Sequence, residues 1–162
     1  MNAGRILENI ITASLGKCVE KLSKISAGRW SLSGAGASWG AFGDITLKRR
    51  SAGGGAAVYF DVSGDCPFTV MIIFQAEDVK LISNCFLGFA FPRMAEINQA
   101  EELLLSELGN IILNSFVSGL SNSLKRSFIP SVPKCIKGEP MFLLEALEAT
   151  LDIKQKYSLI SL

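Results

Sequence analysis

The chain has 162 residues, with 16 Lys+Arg against 15 Asp+Glu for a formal charge of +1, four cysteines and no histidine. That length builds one domain with its own core, without needing disulfides or a structural metal. The missing imidazole excludes Ser-His-Asp, Cys-His and histidine-ligated metal chemistry, and the balanced charge argues against a duplex nucleic-acid binder, which needs surplus Lys and Arg. Apolar residues make up 49% of the chain, yet no uninterrupted apolar run reaches the roughly 18 residues of a spanning helix. Membrane insertion is not expected. Met1 to Glu8 lacks the charged and then apolar pattern of a signal peptide, so a cytosolic location is expected. Cys18, Cys66, Cys85 and Cys135 are widely spaced, with no CxxC, and are expected to be reduced, mostly buried thiols and not zinc ligands.

Along residues 2–26, Ile6, Ile10, Ile11, Leu15, Val19, Leu22 and Ile25 recur at the helical period, with Gly28 as a stop. Residues 29–55 turn to Gly, Ser and Ala, with short strand-like pieces such as Asp44 to Lys48. Two strands follow, Ala57 to Val62 and Phe68 to Phe74, around a turn at Ser63 to Pro67. Helical spacing returns from Ala76 to Phe89, with Pro92 as the stop, and then from Glu96 to Lys125. On this longest helix Leu104, Leu105, Leu108, Ile111, Ile112, Leu120 and Leu124 mark a core stripe, while Glu107, Asn110, Asn114 and Ser118 form a polar line. Pro130 and Pro133 break the helix, and Ser131-Val132-Pro133 is expected to be extended. A helix from Phe142 to Ala149 and a strand from Lys154 to Ile160 complete the chain.

The segments Glu8 to Ser14 and Gly109 to Ser115 share Asn, Ile, Ile and Ser at an offset of 101 residues, which suggests an internal duplication. The position equivalent to Glu107 in the first copy is Ile6, so only the second copy carries both polar groups. The expected architecture is α+β: a central, mostly antiparallel sheet flanked by helices in a single domain over 1–162, with a degenerate half over 1–92 and an active half over 93–162. Because the last half-domain lacks a second hairpin strand, its edge is expected to be completed by a second subunit, making a homodimer, or to be covered otherwise.

Among candidate motifs, the run Gly34 to Gly40 has Trp39 where a dinucleotide fingerprint needs glycine, and a turn or strand-edge reading is preferred. The triplet Lys48-Arg49-Arg50 reads as a solvated strand end before it reads as a docking patch. Glu107-Leu108-Gly109-Asn110 is the stronger feature, because E-x-x-N on a helix projects a carboxylate and an amide from adjacent turns toward one partner.

Taken with Ile111 and with Pro133, which lies 23 residues beyond Asn110, this motif resembles the CheC/CheX/FliY family of chemotaxis phosphatases, in its CheX-like, single-site form. The resemblance is clearest over residues 104–133. It implies hydrolysis of the aspartyl phosphate on a CheY-like response regulator, with Asn110 as the catalytic, water-orienting residue. Glu107 would dock the regulator's lysine, and Asn114 stands beside them as a further partner-binding residue. Mg2+ is expected on the regulator, and no cofactor of the chain's own is implied. The sequence departs from the family pattern at Leu103, where Ser or Asp is common, and at Leu113-Asn114, where Ala-Gly is common. Those departures keep a second reading open: a non-catalytic CheC-like adaptor that binds a regulator, a receptor-modifying protein or a flagellar switch component.

Overall fold

The computed structural model describes residues 3–36, 38–40, 54–88, 97–150 and 159–161. In chain order these form α1 (Ala3–Ile25), β1 (Ser38–Gly40), β2 (Gly55–Gly64), β3 (Phe68–Phe74), α2 (Ala76–Leu87), α3 (Gln99–Leu124), β4 (Phe128–Pro130), β5 (Lys134–Gly138), α4 (Pro140–Thr150) and β6 (Leu159–Ser161). Asp44 to Lys48 and the triplet Lys48-Arg49-Arg50 lie outside the described residues.

Strand alternation builds the sheet. Ala56, Val58, Phe60 and Val62 of β2 face the core, each opposite a core-facing residue of antiparallel β3: Phe74, Ile72, Val70 and Phe68. The other edge of β2 is shared by two short antiparallel strands. β5 takes Gly55 to Tyr59 and β4 takes Val62 to Gly64. Between these pairings, Phe60 and Asp61 stand opposite three residues, Ser131, Val132 and Pro133, so the joint is a β-bulge that shifts the register by one. Ser131 stitches it to β2: its N–H donates to the Asp61 carbonyl (2.8 Å) and its Oγ accepts from the Asp61 N–H (3.1 Å). The expected extended segment is therefore a proline-bearing interruption of an edge strand, where the missing N–H of proline costs no ladder bond.

Helix α3 covers the core face of this sheet, and α1 packs against α3. Two glycines set how closely these layers approach. A Cβ on Gly109 would meet Val58 Cβ, Cγ1 and Cγ2 at 2.6–2.9 Å, and one on Gly119 would overlap the Ser14 side chain of α1. At 26 residues α3 is long and apolar enough to cross a membrane by composition, but it is the helix around which the core is assembled. Leu105, Leu108, Leu113, Phe116, Val117 and Leu120 are buried along it.

The expected α+β class and largely antiparallel sheet are as observed, with several local corrections. α1 ends at Ile25, within a residue of the expected end, but Ile25 is 60% exposed and does not join the buried face. α2 is stopped by Gly88 in the left-handed conformation (φ 76°), well before Pro92. α3 ends at Leu124 on a left-handed Lys125 (φ 54°), so neither Pro130 nor Pro133 terminates it, and Leu124 itself is exposed. Of the four free cysteines only Cys18 is buried; Cys66 is exposed, and Cys85 and Cys135 are half-buried. Residues 154–158 of the expected last strand lie outside the described residues; its end, β6, pairs antiparallel with β1 of the same chain, Trp39 opposite Ile160, in keeping with an edge covered otherwise than by a second subunit. β2 of the first half takes β4 and β5 of the second into one sheet, so the two expected halves share a core.

The Gly109 contact yields a stability prediction. Gly109→Ala forces a methyl into Val58 and is expected to destabilise the protein by about 1–3 kcal/mol, despite alanine's better helix propensity. Combining it with Val58→Ala should recover much of that loss. Urea unfolding of the two single variants and the double variant checks it, and strictly additive effects would show that the two positions do not compete for space.

Candidate functional site

Helix α3 starts from a reciprocal capping box. Asn98 Oδ1 accepts from the Glu101 N–H (2.9 Å) and Glu101 Oε2 accepts from the Asn98 N–H (3.1 Å), with Glu101 and Glu102 placed at the positive end of the helix dipole. From this fixed start the helical period divides the residues into two faces. Leu108 and Gly109 turn into the core, while Glu107 and Asn110 emerge on the other side. The backbone under the motif is therefore held against β2 on one side while its polar side chains face outward on the other.

Glu107 is exposed and has no ion pair or hydrogen bond among the described residues. Asn110, one turn on, is half-buried. Asn114, also half-buried, donates from Nδ2 to Asn110 Oδ1 at 2.6 Å. The Nδ2 hydrogens of Asn110 have no partner among the described residues. Ser118 continues the line and is exposed. Glu107, Asn110 and Asn114 thus share one face, as the spacing predicts. Leu103 belongs to the same stripe, one turn before Glu107, and is 62% exposed. Leu113 does not: at 6% exposure it faces the core, so its bulk does not obstruct a partner's approach to Asn110. Asn9 of α1, which the expected duplication would align with Asn110, is exposed, whereas Ile6, which it would align with Glu107, packs against the core.

An open groove of about 520 Å³ adjoins the motif, lined by Gln99, Glu102, Leu103 and Ser106 of α3 and by Cys135 of β5. Lys137 of β5 pairs with the lining residue Glu102 (2.8 Å), a partly exposed ion pair that fixes geometry more than it adds stability. Burial pushes the Cys135 thiol above its ordinary range, and the neighbouring Glu102 carboxylate raises it further, against a lowering by Lys137. That thiol is therefore a poor nucleophile. Among the described residues no group of three His, Cys, Asp or Glu side chains is placed to hold a metal ion.

Two contributors were not legible as parts of the site. Gly109 was readable as a helix glycine, a residue that costs about 1 kcal/mol against alanine and so signals a packing reason, but the approach of β2 that explains it is tertiary. Ser131 anchors the bulge through a hydrogen bond to a residue 70 positions away, and nothing local marks it.

Residues 104–136, which hold Glu107, Asn110, Asn114 and Pro133, match the model of the CheC-like family. The fold is similar to FliY of Thermotoga maritima, with a TM-score of 0.65 and 14% identity over 85% of this chain and 70% of that one. It is also similar to a CheC-like superfamily protein from Shewanella sp. PV-4, with a TM-score of 0.58 and 19% identity over 85% of this chain and 79% of that one. A sequence comparison with curated proteins gives no match.

The groove makes its own prediction. With its pKa raised, Cys135 should react with iodoacetamide at pH 8 much more slowly than exposed Cys66. Glu102→Gln removes a carboxylate that raises the pKa, so the thiolate fraction and the alkylation rate at Cys135 should increase. Peptide mass mapping over a time course reads both rates, and a slower Cys135 in the variant would contradict the stated electrostatics.

Proposed function

From a CheC-like motif segment carried in a CheC-like fold, we propose that this chain hydrolyses the aspartyl phosphate of a CheY-like response regulator in chemotaxis or related two-component signalling, acting in the cytosol. The observation that carries the reading is the outward-facing pair on α3: a Glu107 carboxylate with no partner among the described residues and, one turn on, an Asn110 amide, on a backbone held against β2 at Gly109.

The chemistry asks little of such a pair. An acyl phosphate is already activated, and its hydrolysis depends on placing water in line with the phosphorus–oxygen bond. In this reading Asn110 enters the regulator's active site and hydrogen-bonds that water. The water oxygen bonds to phosphorus as the bond to the aspartyl oxygen breaks. Inorganic phosphate leaves, the regulator's carboxylate is regenerated, and the water's proton passes to the phosphate. Glu107 pairs with the regulator's lysine, a charge-assisted bond that orients the docked complex. The Mg2+ that neutralises the phosphoryl oxygens is the regulator's own. No imidazole is needed anywhere in this scheme, in keeping with a chain that has none.

A second reading, the non-catalytic adaptor, is favoured by Leu103, an exposed apolar residue on the motif face where the family pattern has Ser or Asp. One experiment separates the two: phosphate loss from a CheY-type regulator phosphorylated with acetyl phosphate, followed with and without the protein. Asn110→Ala should lower kcat by at least about 100-fold, the scale of losing a positioned reactant. Glu107→Ala should instead raise KM by roughly 10-fold, the scale of one charge-assisted bond. Binding of the phosphorylated regulator without faster phosphate loss would establish the adaptor reading, and no binding would remove both.

A further inference from the structure

Asn114 lies on the motif face beside Asn110, and the proposed chemistry gives it no direct task. It also stands where the family pattern commonly has glycine. We propose that Asn114 is a positioning residue, holding Asn110 by its carbonyl oxygen so that the Asn110 amide presents its Nδ2 hydrogens outward. The inference rests on the phosphatase reading for its functional meaning and on the hydrogen bond for its geometry.

The two ends of an asparagine amide are nearly identical in shape and opposite in hydrogen-bonding sense. A free Asn110 would rotate between presenting a donor and presenting an acceptor. In the structure the bond from Asn114 Nδ2 to Asn110 Oδ1, 2.6 Å long and between two half-buried side chains, occupies the acceptor end of Asn110. Helix geometry makes it available, because residues four apart are stacked on one face. Core packing aims it: Leu113 is buried, as are Phe116 and Val117 on the next turn, so the backbone that carries Asn114 has no freedom to rotate about the helix axis. With Oδ1 engaged, the Nδ2 hydrogens are the end of Asn110 left for a partner. One of them can hold a water oxygen through a single lone pair, leaving another lone pair directed at phosphorus. With glycine at 114 no side chain would restrain Asn110, so this device arises from the chain's own departure from the family pattern.

The test uses the full chain and a CheY-type regulator phosphorylated with acetyl phosphate. Asn114→Ala frees the amide and is expected to lower kcat about 10-fold. Asn114→Asp replaces the donor by an acceptor, turns the Asn110 amide round to donate to it, and should lower kcat about 100-fold. KM for the regulator should hold in both variants, and Asn114→Gln, which keeps a donor at i+4, should restore most of the rate. Wild-type kcat in Asn114→Asp, or a loss confined to KM, overturns the inference. A wild-type protein that releases no phosphate removes the phosphatase reading instead. The positioning then stands or falls on side-chain amide NMR. Slow solvent exchange of one Asn114 Nδ2 proton, lost in Asn110→Ala, supports it, and equal exchange in both proteins overturns it.

Discussion

Val58 occupies the space that a side chain at position 109 would need, and the contact between α3 and β2 at this point governs most of what surrounds it. Because glycine brings the helix backbone against the strand, Leu105 and Leu108 reach full burial over the sheet, and Glu107 and Asn110 are left on the opposite side with a rigid base. The approach ties the two parts of the chain together as well. β2 comes from the first half and α3 from the second, so the motif's geometry depends on residues some 50 positions apart in sequence.

The far edge of β2 adds a second constraint. Its two short partners, β4 and β5, differ in register by one residue, and the bulge that absorbs the difference contains the motif's proline. A bulge bends and twists its strand. Here it divides the edge into a β4 segment and a β5 segment, and the β5 segment brings Cys135 to the groove beside Leu103 and Ser106 and Lys137 to the Glu102 carboxylate. Proline suits the joint because no β2 carbonyl there needs its missing N–H; Ser131 supplies the local hydrogen bonds instead.

Three departures from the family pattern acquire separate meanings once placed in three dimensions. Leu103 is exposed on the motif face and alters what a partner meets. Leu113 is buried and belongs to the core. Asn114 stands half-buried on the motif face, and its hydrogen bond is to Asn110. A sequence comparison weighs the three alike, whereas their directions around the helix axis separate surface, core and site.

The sequence alone determined the long α3 with its polar line, the β2–β3 hairpin, and the E-x-x-N pair with its CheC-like resemblance. Those features follow from local periodicity and from fixed spacings along one helix, which a chain carries in its own order of residues. It misread what ends the helices, assigning to Pro92, Pro130 and Pro133 the stops that Gly88 and Lys125 make through left-handed backbone. Tertiary structure alone decided the strand register across the bulge, the reason for Gly109, the inward turn of Leu113 and the pairing of the last strand with β1. Each of these is set by contact between segments distant in sequence, where the available volume and the free hydrogen-bonding edges belong to the assembled fold and not to any local run of residues.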